Sequence, residues 1–431
     1  MILVTGALRI ARKLIIASAF SRGSRYVGLC CSTVIIVLLA LHAYAEESLV
    51  QEPQSETSIE GEIKSRDEVA YDPTKRSILP GFYYKYRDKL FEWQRKHGLE
   101  VTFSYDIVGQ ESFDGTGSLG GIAGDGTLSG RWLLFGERYD LPVYLTFRLR
   151  SRNAYTEHAP ADISSETGLF WKTVDGFNDA GFQVPSMYLS QELWKQEVIL
   201  RYGQFSIDNF FDAHKLRSAK KFFLNQAFSS NPAVSFPSYG AGFVLQWNPN
   251  EKWELIGGVS NIQETEQNKE IDFGISSTAL FESLQARYRF SGIGGKNFDI
   301  RLLGWHSDSI NDEDIPEGRG VSLTIGHEGF EPGEDFVFRY AHAHGDATSA
   351  DTILFAGYGK EIHSFDHVGM GVSLGRSSIT EDWQVMLETY YRWRVYKELM
   401  ITPDLQFILG DHIDNDTDVS VIAGLRFGFV F

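Results

Sequence analysis

Arginines stand at alternate positions in several runs of this sequence. LPVYLTFRLRSR (141–152) sets Arg148, Arg150 and Arg152 in step with Tyr144 and Thr146, and Val143, Leu145, Phe147 and Leu149 fill the positions between. The same alternation holds Arg287 and Arg289 in LQARYRF (284–290), Arg339 in FVFRYAH (336–342), and Arg392 and Arg394 in DWQVMLETYYRWRV (382–395). Arg201 and Arg426 belong to the same set. A guanidinium offers five donors in a fixed plane and stacks on aromatic rings. A surface of such groups can take anions through charge, or sugar hydroxyls through donors with aromatic planes beneath the ring; rings of charge also tune pores. A second basic group, Lys215, Arg217, Lys220 and Lys221, lies in SIDNFFDAHKLRSAKKFFLNQAFSSNPAVSFPSY (206–239), among Phe210, Phe211, Phe222, Phe223 and Phe228. The competing reading of any one arginine is a pairing with nearby Asp or Glu that merely fills space.

Groupings that could do covalent or metal chemistry are weaker. His306-Ser307-Asp308 falls in a polar loop with nothing to hold it in hydrogen-bonding order, so an outer-wall hydrolase is the minor alternative. His342 and His344 share a strand face without a third ligand and read as rim residues. Asp414, Asp416 and Asp418 begin a calcium-loop spacing but lack its Gly and closing Glu. GTGSLG (115–120) matches a dinucleotide fingerprint, which needs a helix after it; GIAGDGTLSG follows, so the stretch reads as a glycine-rich loop. No catalytic residue, metal or cofactor is expected.

The elements that would position the arginines are strands. From Leu99 onward apolar residues alternate with polar ones, a period that fits either a half-buried sheet or a lipid-facing barrel. Sixteen strands can be counted, near 99–109, 126–135, 142–150, 182–191, 197–205, 240–248, 252–260, 281–290, 298–306, 319–327, 335–342, 351–359, 366–376, 383–395, 401–409 and 420–431. Short connections (NPNE, SGIGGKN, VYKEL) alternate with long polar ones (HSDSINDEDIPEGR, GDHIDNDTD, NIQETEQNKEIDFGISS). An even strand count with short turns at one end and long loops at the other describes an all-β, transmembrane antiparallel barrel of the outer membrane. Arg148, Arg150, Arg201, Arg287, Arg289, Arg339, Arg392, Arg394 and Arg426 then face the lumen, where they avoid the cost of the lipid face. The run 206–239 is the expected constriction loop, its phenylalanines anchors and its basic groups turned to solute.

The chain closes on VIAGLRFGFVF, with Phe431, Phe429 and Phe427 two apart. A soluble domain seldom ends so. A last strand whose odd positions face lipid explains it, and the ending also reads as a signal for the outer-membrane insertion machinery. Before the first strand, PGFYYKYRDKLFEWQRKHG (80–98) spaces Tyr83, Tyr86, Leu90, Trp93 and His97 as one short amphipathic helix over 82–98, ended by Gly98.

The first 45 residues carry five basic residues, no acidic one, an apolar run and Ala43-Tyr44-Ala45 before Glu46-Glu47. This is the pattern of a signal peptide cleaved after Ala45, so export to the bacterial outer membrane is expected. Cys30 and Cys31 would leave with it. Residues 46–72 hold nine acids against two bases, so 46–81 reads as a flexible acidic leader. Without the five leader bases, 35 Lys and Arg remain of 40, against 57 Asp and Glu, a net charge of −22. That balance argues against nucleic acid.

Two segments resemble the carbohydrate-selective porins of the OprB type. In 201–243 the matching points are Gly203-Gln204, Phe223-Leu224-Asn225, Asn231-Pro232 and Gly240-Ala241-Gly242; in 388–411 they are the E-x-x-Y-R and I-T-P-D-x-Q segments, with AGLRFGFVF closing the chain. The tryptophan-glycine-glycine motif of that family before the helix is replaced by ILPGFYYKY. The resemblance implies a sixteen-stranded, monomeric channel for passive diffusion of mono- and disaccharides. The basic lumen by itself would equally suit small organic or inorganic anions.

Overall fold

A computed structural model describes residues 59, 61–63, 66, 76–113, 118–136, 141–262, 271, 273–275, 279–291, 297–310, 316–328, 333–363, 366–410 and 418–431. The expected signal peptide, Asp414 and Asp416 lie outside them. A helix, α1 (Gly81–Lys96), leads into sixteen strands: β1 (Leu99–Phe113), β2 (Ser118–Phe135), β3 (Val143–Ala154), β4 (Gly181–Leu193), β5 (Val198–Ser206), β6 (Tyr239–Trp247), β7 (Trp253–Asn261) and β8 (Leu280–Ser291). The second half continues with β9 (Asn297–Ser307), β10 (Gly318–Glu328), β11 (Glu334–Gly345), β12 (Ala350–His363), β13 (Asp366–Ser377), β14 (Trp383–Arg394), β15 (Leu399–Gly410) and β16 (Val419–Val430). Each strand pairs antiparallel with its sequence neighbours, and β1 pairs with β16 to close the barrel.

The ring is sealed by its last residue. Phe431 donates its backbone N–H to the Phe103 carbonyl at 2.8 Å and accepts from Phe103 at 3.3 Å, and the two rings stack 6.1 Å apart. Outward positions carry large exposed apolar side chains from strands all round the ring, among them Trp132, Tyr202, Leu302, Phe338, Met370 and Trp393. Closure leaves no free edge, which a lipid environment requires.

Strand boundaries differ most from the sequence expectation at β2, which begins at Ser118 rather than near 126. From Ser118 onward the glycine-rich stretch is wall, not loop. Two of its glycines lie under aromatic rings: a Cβ on Gly130 would come within 2.4 Å of the Phe147 ring, and one on Gly126 within 3.2 Å of Tyr105. Glycine lowers strand propensity, but here it makes room for neighbours.

The acidic leader also differs from expectation in its described part. Ile59, Ile63 and Arg66 are buried, and Glu62 pairs with Arg148 at 2.9 Å. Those residues sit against the barrel instead of being solvated.

Candidate functional site

The connection from β5 to β6 turns back inside the wall and brings an apolar core with it. Phe211, Leu216, Phe223 and Phe228 are fully buried. Phe223 packs edge-on against Phe355 of β12 and Tyr390 of β14. Gly371 of β13 leaves the space, since a Cβ there would meet the Phe228 and Phe223 rings at 3.0 and 3.1 Å. Each fully buried phenylalanine contributes about 1.5–3 kcal/mol, so the loop is a packed part of the barrel.

Polar clamps fix its register. Asp212 forms a buried ion pair with Arg339 of β11 at 3.1 Å and also accepts from Thr324 at 2.7 Å and Asn231 at 2.6 Å. Glu388 of β14 accepts from the backbone N–H of Leu224 at 2.5 Å and of Asn225 at 3.1 Å. The Asn225 side chain donates to Gln406 of β15 at 3.1 Å and accepts from Ala227 N–H at 2.9 Å, capping the short helix α3 (Gln226–Ser229).

A second loop, 155–180 between β3 and β4, also folds inward and contains the short helix α2 (Ile163–Thr167). Trp171, Val174 and Phe177 are buried. Asp175 N–H donates to the Leu224 carbonyl at 2.8 Å, and the Thr173 carbonyl accepts from Gln406 at 2.9 Å and Gln110 at 3.2 Å. The two loops therefore brace each other.

Between them and β1–β3 lies a cavity of about 270 Å³. Arg148, Arg150 and Arg152 line it as a ladder along β3, which the two-residue period of a strand produces. Arg152 contacts Asp125 of β2 at 2.7 Å, Arg150 reaches the same carboxylate at 3.6 Å, and Arg150 donates to the Tyr239 hydroxyl at 3.1 Å. Lys220 of the loop sits opposite, donating to Asp125 at 2.8 Å and Thr127 at 2.9 Å and lying 3.2 Å from Asp106. Among the described residues the lining carries six basic groups (Arg148, Arg150, Arg152, Arg217, Lys220, Lys221) against five acidic ones (Glu62, Asp106, Asp125, Asp175, Asp208). The charges are nearly balanced.

The model of the carbohydrate-selective porin, OprB family, matches residues 91–314 and 354–431 of this chain. The chain belongs to that family. Two solved structures of Pseudomonas putida OprB resemble it at 14% identity and 83% coverage of this chain. The high-pH form has a TM-score of 0.67 over 99% of its own length, and the low-pH form 0.52 over 100%. No curated protein sequence matches. The porin is thus a carbohydrate channel of the bacterial outer membrane, and its fold is that of a transport barrel.

The family segments seen in the sequence meet in the porin's interior: Glu388 and Gln406 hold Leu224 and Asn225, and Asn231 bridges Asp212 and Ser322. Gly203 stands at φ 143° with Met187 O 2.5 Å from where a Cβ would be, so no side chain fits.

The nine expected arginines all point inward, but they serve different contacts. Arg148 and Arg150 line the cavity. Arg339 and Arg426 clamp the loop, Arg426 donating to the carbonyls of Ala219 and Phe222. Arg392 donates to the Lys221 carbonyl at 3.2 Å and lies over the Phe222 ring. Arg201 bonds Gln246 at 2.9 Å beside Phe210. Arg287 and Arg289 form a separate network with Glu254, Asp299 and Arg301, so there the space-filling reading holds. Arg394 is buried, its backbone N–H donating to Asp366 at 2.8 Å.

On the loop, Lys220 and Lys221 face the cavity, while the exposed Lys215 pairs with Asp335 at 2.8 Å. Arg217 departs from the expectation: it is buried, and it donates to the carbonyls of Asp208 at 2.5 Å and Ser229 at 3.1 Å, so it braces the loop from within. Phe222 and Phe223 are anchors. Sequence reasoning did not single out Asp106, Asp125, Glu62 or the loop 155–180. The apolar string Leu169, Phe170, Trp171, Val174 and Phe177 was the available signal for that loop.

The His306-Ser307-Asp308 grouping does not line up as a triad. His306 and Ser307 belong to β9 rather than a polar loop, so they face opposite sides of the wall: the His306 side chain is exposed and Ser307 is buried. His342 points outward and contacts Thr352 at 3.0 Å.

Proposed function

We propose that solutes pass the β3 ladder of Arg148, Arg150 and Arg152 opposite Lys220 and Lys221, and that neutral sugars are preferred there over anions. The near balance of six basic and five acidic groups around the cavity supports this reading. A polyol can exchange water for alternating donors and acceptors without net charge transfer, whereas an anion must compete with Asp106, Asp125 and Asp208 for the same cations. A predominantly basic lining would have favoured the anion reading.

In the same proposal the chain is exported by cleavage after Ala45, recognised at its Phe427–Phe429–Phe431 end by the insertion machinery, and monomeric. The apolar outward side chains around the ring support a barrel surrounded by lipid. The test is swelling of liposomes reconstituted with the barrel, in glucose or a disaccharide and in amino acids or carboxylates of similar mass. Sugars should enter faster, and replacing Asp106 and Asp125 together by asparagine, which leaves six basic groups against three acidic ones, should narrow the difference. Faster swelling in carboxylates would replace the sugar reading with the anion one.

A further inference from the structure

The helix α1 carries an apolar stripe that the barrel does not use. The face toward the protein is made by Tyr83, Arg87, Phe91 and Gln94. Phe91 is buried under the Arg66 guanidinium at 4.2 Å, and Arg66 also donates to Gln94 at 3.2 Å and to the Val101 carbonyl at 2.7 Å. Phe82, Tyr86, Leu90 and Trp93, one step round the helix, are exposed by 67, 67, 50 and 51%. At 100° per residue these four fall within an arc of about 80°. Lys85, Lys89 and Lys96, all exposed, border that arc on the side away from the barrel. Asp88 and Glu92 lie beyond the lysines.

The helix also lies along the rim. Its lead-in is pinned where Ser77 and the Ile78 N–H donate to Glu398 at 2.7 and 3.3 Å, in the turn between β14 and β15. Its far end is pinned where Leu133 of β2 donates to the Gly98 carbonyl at 2.7 Å. Those anchors are about four strand spacings apart, or ~25 Å along a rim whose strands tilt by ~40°. A sixteen-residue helix is ~24 Å long. It must therefore run tangentially, parallel to the bilayer plane, at the end of the barrel with short turns. Exposed outward aromatics flank both anchors: Trp393 on β14, and Trp132 and Phe135 on β2.

We infer that α1 is an interfacial helix whose Phe82, Tyr86, Leu90 and Trp93 enter the periplasmic leaflet of the outer membrane, with Lys85, Lys89 and Lys96 on anionic phospholipid headgroups. A helix with aromatic and aliphatic residues on one side and lysines beside them is built for that boundary. Position selects lipid over another face of this chain, since the helix runs along the rim between outward aromatics of the wall. The helix holds five Lys and Arg against two acids, which suits anionic headgroups. The stripe continues the lipid-facing aromatic girdle of the wall.

Spin labels at cysteines replacing Tyr86, Leu90 and Asp88, one at a time, in the full chain with Cys30 and Cys31 changed to serine where they persist, provide the test. The barrel is reconstituted in bilayers of phosphatidylethanolamine with or without phosphatidylglycerol, and heat-modifiable gel mobility checks folding. Labels at 86 and 90 should collide with oxygen several-fold more, relative to a water-soluble nickel chelate, than the label at 88. That contrast should grow with phosphatidylglycerol, and K85Q/K89Q/K96Q should abolish the growth. Nickel-dominated collisions at 86 and 90 would place the stripe in water and overturn the inference. Low collision with both reagents would mean that protein covers it, with the same consequence.

Discussion

Replacing Glu388 by alanine should release the constriction loop while leaving the barrel closed. The carboxylate of Glu388 accepts from two adjacent buried amides, Leu224 N–H at 2.5 Å and Asn225 N–H at 3.1 Å. Losing this acceptor leaves two buried N–H groups unpaired, at ~1–3 kcal/mol each, and the two bonds share one carboxyl group, so their costs do not add freely. About 3 kcal/mol is the expected loss, or ~100-fold in the ratio of docked to undocked loop at ~1.4 kcal/mol per factor of ten. The wall should survive because β14 is held to β13 and β15 by backbone bonds that the side chain does not make. Glu388→Gln keeps one acceptor oxygen and sets an amide donor against a backbone donor, so it should fall between. The loop carries its own reporters, since Lys215, Arg217, Lys220 and Lys221 are trypsin sites. When opening is fast relative to cleavage, the cutting rate follows the open population. Cleavage within 215–221 should therefore rise ~100-fold in Glu388→Ala, together with larger and noisier single-channel conductance. A variant that stays as protected and as quiet as the parent would refute the latch and leave the phenylalanine packing as the sole restraint.

Arg339→Leu should be more damaging to the loop than Glu388→Ala, because it strands Asp212 at a site where both side chains are almost fully buried; ~3–5 kcal/mol is the usual cost of breaking such a pair from one side. The double variant with Asp212→Asn should recover part of that loss in trypsin protection. Glu62→Gln removes the carboxylate partner of Arg148, so the reversal potential in a potassium chloride gradient should move toward anion preference. His214 gives a pH dependence. Its Nε2 donates to the Phe228 carbonyl at 3.1 Å, its Nδ1 has no hydrogen-bond partner among the described residues, and burial with Arg339, Arg217 and Arg301 nearby holds its pKa well below the usual histidine value. A released loop binds a proton below pH ~6.5 and the docked loop does not, so docking should weaken by up to ~1.4 kcal/mol for each further pH unit. Mean single-channel conductance and its noise, measured between pH 7.5 and 4.5, should rise on acidification in the parent and stay flat in His214→Gln.

The strands were legible because lipid outside and polar lumen inside impose a period of two, and the sixteen centres could be counted from that period. The start of β2 was not, since Gly120, Gly121, Gly124 and Gly126 carry no polarity to alternate and what they make room for lies elsewhere in the chain: the His158–Pro160 backbone against Gly121, Tyr105 and Tyr155 against Gly124, and Tyr105 against Gly126. The apolar stripe of α1 was visible but not its medium: Tyr86, Leu90 and Trp93 look like a core-facing set, whereas the contact with protein runs through Phe91 and Gln94.

The inward loops leave a subtler mark. A porin lumen is expected to be polar, yet Phe281, Ile353, Phe355, Met386, Tyr390, Ile408 and Ile422 occupy inward positions on β8, β12, β14, β15 and β16 and are buried in one cluster with Phe211, Phe223 and Phe228. An apolar residue on the lumen side of a strand has no reason to be there unless something covers it. Breaks in the alternation are thus the footprint of the inserted loop on the wall. β3 shows the complement: its lumen side keeps Thr146, Arg148, Arg150 and Arg152 without an apolar interruption, and the open cavity lies against it. Where alternation fails, the inserted loops fill the lumen; along β3, where it holds, the cavity stays open.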